Sequence, residues 1–412
     1  MAMALDVIGD KDGGRSMRRI TVEQRRRLLT TRHHLAGDLA SPEDVTAAMV
    51  ALHATDPASV YLSVLARSGS SSLDDVSAAM YERRALVRWM AMRRTLFLFH
   101  RDDVPMVQAA VSTPLAATLR RSLIARLSRN GSVPPIEGDI GAWVDTLEDR
   151  VDEALRHQGT ATGAQLGTEI PELRTVIPPR APSDVPQTVT SSLLTVMSTE
   201  ARMVRGTPTG PWTSRHHRWE PVERWWPAGL VTPPTGSAQR DLAQRWLARF
   251  GPATFDDLQW WTGWNKTTLR AALEALAIEE VDLHGEPGIA LVGGDEEFDI
   301  ASAGTDAEPV ATLLPTLDPT PMGWKHRDWF FAVDRDLVFD RAGNVGPTLW
   351  WNGQVIGSWA VSPSGDVRTA ILTDPGAEAV TAVAAAAEHL QVRLGGATVV
   401  PAIRTPLERS LV

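Results

Sequence analysis

The chain has 412 residues, 43% hydrophobic and 22% charged, enough for two to four globular domains of ordinary composition. It holds no cysteine, which excludes disulfides, thiol nucleophiles and cysteine-ligated zinc. The net charge of −9 argues against a uniformly nucleic-acid-binding surface, but residues 1–130 carry 19 Lys and Arg against 13 Asp and Glu. A basic first third on an acidic body can still hold phosphate locally, because charges beyond about 8 Å are largely screened at physiological salt.

Residues 1–17 read as a disordered leader, since Asp6, Asp10, Lys11 and Asp12 break up any apolar signal core. No uncharged apolar run approaches the length of a membrane span, and a cytoplasmic protein is expected. Thr21 to His34 is predicted as a helix. Ser41-Pro42-Glu43-Asp44 is a strong helix start, and that helix is predicted to run through Val45, Met49 and Leu52 to His53. Asp56-Pro57 starts another toward Arg67, and Ser72 caps Leu73 to Arg83. Val87–Met90 and Thr95–Phe99, joined through Met92-Arg93-Arg94, read as a wing hairpin, with Asp102 to Arg129 returning as a long helix. These elements make a first winged helix over 18–130.

After the linker Asn130–Pro135, helices at Trp143–Leu155, after Thr162 and at Gln187–Ala201 precede a hairpin of Met203–Arg205 with His216–Trp219. They predict a second winged helix over 131–236. The third, 237–307, is the most legible. One helix carries Leu242 and Trp246 and stops at Gly251-Pro252; a second is capped by Thr254 and turns at Thr262-Gly263. A third has Leu269, Ala272, Leu273 and Leu276 at the spacing of a buried face, before a hairpin around His284–Gly288. Asp295-Glu-Glu297 reads as a solvated loop. Residues 308–412 change character: an Asn352-Gly353 turn marks a hairpin, Val367–Leu372 a strand, Ala377–Leu394 an amphipathic helix and Thr398–Ile403 a last strand. The expected class is mixed α/β, mainly α: three tandem winged-helix units and a β-rich C-terminal domain.

Nucleotide-loop, nucleophile-elbow and zinc-protease motifs are missing, and the adjacent pairs His33-His34 and His216-His217 cannot both point at one metal. Most of the 15 tryptophans, Trp260, Trp261, Trp264, Trp350, Trp351 and Trp359 among them, are predicted as core.

The stretch Val50-Ala-Leu-His-Ala-Thr-Asp-Pro-Ala-Ser-Val-Tyr-Leu62 resembles the winged-helix DNA glycosylases typified by AlkZ, an azinomycin-resistance glycosylase, and YcaQ. Supporting stretches are Met92–Phe97, Gly210–Ser214 with Arg218-Trp219, Phe250–Thr254, Trp260–Trp264, Leu313-Leu-Pro315 with Asp318-Pro319, and Trp350–Trp359; the likeness covers roughly 20–411. The resemblance implies a C-shaped set of winged helices with a β-barrel-like C-terminal domain. It also implies a monomer acting on double-stranded DNA that carries alkylated purines, and excising N7-guanine adducts or crosslinks without metal or cofactor. Repair or self-resistance is the implied setting. A second class of reading is a DNA-binding protein of the same fold that has lost chemistry.

Family catalysis is attributed to Gln-Φ-Gln or Gln-Φ-Asp, with Φ apolar. The matching positions here are His53-Ala54-Thr55, making His53 and Thr55 the catalytic candidates. His53 is expected to orient or deprotonate a water near neutral pH, with Thr55 assisting; its other reading is a cationic cap at a helix C-terminus. Asp56 is a substitute carboxylate or, as Asp before proline, an N-cap. Arg93 and Arg94 at the wing tip are expected to touch DNA phosphate or to pair with Glu82 or Asp102.

Overall fold

The computed structural model describes residues 17–179, 185–293 and 309–412. The expected leader, apart from Met17, and the acidic loop Asp295-Glu-Glu297 lie outside the described residues.

The first elements are a two-residue strand, Arg18–Arg19 (β1), and the helix Val22–Arg32 (α1), opened by a capping box in which Thr21 and Gln24 exchange hydrogen bonds. Pro42–Ala48 (α2) begins at Ser41, whose hydroxyl accepts the Asp44 N–H. The helix predicted to continue to His53 stops at Ala48. Val50 sits at a φ of 64°, which no β-branched residue holds inside a helix, and Leu52–His53 (β2) continues as a strand.

Pro57–Arg67 (α3) and Leu73–Ser77 (α4), extended by a π-turn at Ala78–Glu82, lead into Leu86–Met90 (β3) and Leu96–His100 (β4). The strand order is β2-β4-β3, with Leu52 opposite Leu98 and His53 opposite Phe97. The predicted return helix is present as a nearly continuous run: Val104–Val107 (α5), a π-turn at Gln108–Ser112, then Thr113–Asn130 (α6). The π-turn holds Gln108 inside, where it accepts the Trp89 indole N–H at 2.9 Å and donates to the Thr199 carbonyl at 3.1 Å.

The next segment comprises Ile140–Gln158 (α7), Ala161–Thr162 (β5), Gly163–Glu169 (α8), Val176–Ile177 (β6), Gln187–Thr188 (β7), Val189–Thr199 (α9), Met203–Pro208 (β8) and His217–Pro221 (β9). Its main sheet has the order β5-β9-β8. Thr235–Phe250 (α10), Phe255–Thr262 (α11), Lys266–Glu274 (α12), Ile278–Leu283 (β10) and Glu286–Leu291 (β11) follow. β1 pairs in parallel with β10, so the N-terminal strand completes this later sheet. The cause is apolar: Ile20 and Leu28 bury with Val281, Leu283 and Ala290.

Ala311–Leu314 (β12), Thr348–Trp351 (β13), Gln354–Val361 (β14) and Val367–Ile371 (β15) form an antiparallel sheet in sequence order. The barrel-like closure implied by the resemblance is absent here, because β12 and β15 remain edges. The strand expected at Thr398–Ile403 does not form. Pro401 has no N–H to give a ladder, and Gly395 and Gly396, at φ of 56° and 81°, turn the chain away. The helix Ala377–Leu394 covers the sheet instead, burying Val383, Leu390 and Leu394 against Leu313, Leu349 and Trp359. In the β13–β14 turn, Asn352 and Gly353 take φ of 47° and 75°. A Cβ on Gly353 would lie 2.5 Å from the Arg26 carbonyl, so only glycine lets α1 approach this closely.

The largest hydrophobic cluster runs from Leu29 through the first sheet to Trp246, Trp261, Trp324 and Trp350, joining elements far apart in sequence. The second half of α6 (Leu119, Leu123, Leu127) packs instead with α7 and α9 in a separate cluster. No helix among the described residues is long and apolar enough to cross a membrane.

Candidate functional site

The edge strand β2 and the residues after it carry the motif positions, of which only Thr55 is exposed. His53 pairs with Phe97 and lies buried at 5% exposure, its ring 5.1 Å from the Phe97 ring. Ala54 continues the ladder through its N–H to the Leu96 carbonyl at 2.8 Å. Thr55 is exposed, and Asp56 turns back inside. The Thr55 N–H donates to His53 Nδ1 at 3.4 Å, so the neutral ring carries its proton on Nε2.

The structure alters the chemistry expected of His53. It is neither a helix cap nor a cation: burial, helped by the Arg93 charge, lowers its pKa from 6.5 to about 3. An imidazole in that state is a weak base with Nδ1 already engaged. What it offers is a fixed, neutral ring and a shaped strand edge, with the Thr55 hydroxyl as the exposed polar group beside it.

Asp56 occupies the N-cap position of α3, yet its side chain makes no cap hydrogen bond there. One carboxylate oxygen accepts the Ala402 N–H at 2.9 Å. Desolvation by burial raises its pKa, with the Ala402 N–H working in the opposite direction. This hydrogen bond ties the start of α3 to the C-terminal segment.

Arg93 and Arg94 form the β3–β4 tip, both left-handed at φ of 53° and 61°, held by the Ala91–Thr95 and Met92–Thr95 backbone hydrogen bonds. Neither pairs with Glu82 or Asp102. The Arg93 guanidinium lies 3.8 Å from the centre of the Trp260 ring on α11, and its Cγ lies against Gly263. Arg327, buried among Pro321, Met322 and Phe339, places its guanidinium 5.3 Å from the same indole. Burial lowers the pKa of both arginines to about 10, leaving them cationic at neutral pH. Arg94 is exposed and raises the local positive potential at Arg126, which reaches from α6 to Gln187 and Ser192.

The four predicted site residues are thus partly gathered. His53, Thr55 and Arg93 share one corner, whereas Arg94 faces α6. Sequence reading missed Trp260 as the seat of Arg93, and Arg327 beside it; the Trp260-Trp-Thr-Gly-Trp264 run was read as core. The β8–β9 hairpin was expected, but not the contact its loop makes: Trp212 packs 4.9 Å from Tyr61 of α3. That contact brings the β8–β9 hairpin beside the helix that starts immediately after the motif. Among the described residues, no group of three or more His, Asp or Glu is arranged to hold a metal.

A family model described as DNA glycosylase AlkZ-like matches residues 46–392. The solved structure of DNA glycosylase AlkZ from Streptomyces sahachiroi aligns with a TM-score of 0.69 at 20% identity, covering 93% of this chain and 99% of that one. No curated protein matches the chain.

Proposed function

Because the chain belongs to the AlkZ-like DNA glycosylase family, we propose that it is a monofunctional DNA glycosylase that excises alkylated or bulky-adducted purines. We read the three helix-and-hairpin segments as tandem winged helices working as a monomer on duplex DNA, in repair or self-resistance. The observation that carries the chemical part is the corner where exposed Thr55 stands beside neutral His53 and cationic Arg93.

An N7-alkylguanine is already a cation, so the C1′–N9 bond can break with the electron pair leaving on the base and no acid is required. Water then adds to C1′ of the oxocarbenium-like sugar and loses a proton to solvent. The reaction asks the protein for a positioned water and a favourable field rather than a strong base. The Thr55 hydroxyl is suited to holding that water, and the buried His53 ring to fixing the strand edge on which Thr55 sits. Arg93 and Arg94 are suited to strand phosphates on either side.

The test is incubation with duplex DNA containing one N7-methylguanine, followed by abasic-site cleavage. Excision by the native chain, reduced in Thr55→Ala and His53→Ala while DNA binding persists, supports the reading. A second reading, a lesion-binding protein without chemistry, is favoured by the absence of a free carboxylate at the motif, Asp56 being engaged with Ala402. Tight binding of the lesion with no abasic product would establish it.

A further inference from the structure

Outside the motif corner, a cleft of about 740 Å³ opens between α8, α9 and the β8–β9 hairpin. Its lining contains Arg174, Arg205, His216, His217 and Trp219, with small hydroxyl residues between them; none of the described lining residues is acidic. Arg205 forms its floor. The guanidinium lies 4.7 Å from the centre of the Trp219 ring and donates to His217 Nε2 at 3.0 Å, its only hydrogen-bond partner among the described residues. His217 cannot neutralise it: Nδ1–H is committed to the Arg215 carbonyl at 3.2 Å, and burial lowers the ring's pKa to about 3. Arg88 adds a further positive charge from β3, where it donates to the Gly206 carbonyl at 2.9 Å.

A cation desolvated against an indole and a neutral imidazole has no counter-charge among the described residues. An unpaired, partly buried cation is costly, and a guanidinium fork is well matched to a phosphate that reaches it. Arg174, exposed at the rim and hydrogen-bonded among the described residues to Thr168 alone, supplies a second donor. The same lining disfavours a cationic N7-alkylpurine, so the cleft is unsuited to the excised base.

We propose that this cleft binds a backbone phosphate of the DNA strand, held by Arg205 and Arg174, and sets the register of the duplex on the protein. The inference rests on the DNA-acting reading above. Position favours a strand phosphate over a free phosphorylated metabolite: the cleft is formed by α9 and the β8–β9 hairpin, the helix-and-hairpin pair that the reading above lays on duplex DNA. The loop of the same hairpin packs Trp212 on Tyr61, a few residues beyond Thr55. A phosphate held there positions the strand without touching the reacting sugar.

The experiment measures binding of an undamaged labelled duplex by fluorescence anisotropy across a salt series, using the full chain and the variants Arg205→Gln and Arg174→Gln. Each variant should make the slope of log affinity against log salt shallower by about 0.9, the value for one phosphate contact in duplex DNA. Arg174→Gln alters an exposed rim residue and keeps the test decisive should Arg205→Gln fold poorly. Calorimetric titration with inorganic phosphate and with a 5′-mononucleotide runs in parallel. Unchanged slopes in folded variants overturn the proposal, as does micromolar binding of free mononucleotide abolished by Arg205→Gln without any change in DNA binding. If the native chain shows no excision of N7-methylguanine but the slopes fall, the glycosylase reading fails and the phosphate site stands.

Discussion

Arg67, at the last turn of α3, is fully buried and spends all of its donor capacity. Nε donates to the His33 carbonyl at 3.0 Å; the two terminal nitrogens grip both oxygens of Asp318 at 2.8 and 2.7 Å and also reach the Ser63 carbonyl and the Thr320 hydroxyl. Asp318 is equally enclosed, accepting from the Ser63 hydroxyl and the Thr320 N–H. This pair fixes the far end of the helix that begins two residues after Thr55. Arg67→Met keeps the stem's bulk but leaves a buried carboxylate with two neutral donors. The expected cost is about 3–5 kcal/mol, the range for removing one partner of a buried ion pair. Urea unfolding followed by tryptophan fluorescence would read it, with hydrogen exchange over 57–67 to show whether α3 loosens first. Because the loss comes from the stranded charge, Arg67→Met combined with Asp318→Leu should regain much of it. A single-variant cost below about 1 kcal/mol, or a double variant no better than the worse single, would refute the argument.

Four further outcomes follow from the site. His53 stays neutral in the fold down to about pH 3 but takes a proton at 6.5 when unfolded, so between these values the unfolded chain binds more protons. Its contribution is whole above pH 6.5 and is lost as pH falls toward 3, by about 2 kcal/mol at pH 5; His53→Gln should flatten the acid arm of a stability–pH curve, and an unaltered arm would contradict the assigned state. Arg94→Ala should flatten the salt dependence of DNA binding by about one contact at constant melting temperature. Arg93→Ala should do the same and also lower stability by about 0.5–1 kcal/mol through loss of the Trp260 contact, which thermal denaturation would detect. Asp56→Asn should leave excision within about twofold, since Asn can still accept the Ala402 N–H; a large rate loss in a folded variant would give Asp56 the catalytic role denied it above.

Much of the architecture was readable because local chemistry and tertiary packing agree. Thr21, Ser41, Ser72, Thr162 and Thr254 all cap the helices predicted from them, and the Asn352-Gly353 turn forms where expected. The errors arose where tertiary contacts overrode local pattern. Val45, Met49 and Leu52 have helical spacing, yet β4 offers the ladder that takes Leu52 and His53 as a strand. β1, which no local pattern announces, pairs with β10 because Val281, Leu283 and Ala290 supply the apolar surface for Ile20 and Leu28. The candidate site was legible in position through the motif stretch, but not in charge state. Nothing local to His53 announces that Phe97 and the first sheet will strip it of water, and Arg93 gives no sign in sequence that its seat is an indole about 170 residues away.

That charge state bears directly on which lesions the corner suits. A general base of pKa about 3 does little for an uncharged purine, whose departure needs protonation of the base as well as a nucleophile. An N7-alkylated purine brings its own positive charge, so the missing acid and the weak base matter least for that substrate. Thr55→Asp tests this division. An added carboxylate at the exposed motif position should speed excision of N7-methylguanine by about tenfold or more by stabilising the sugar cation, and should leave unmodified purines intact. No gain in a folded variant that still binds the duplex would place the reacting sugar away from Thr55.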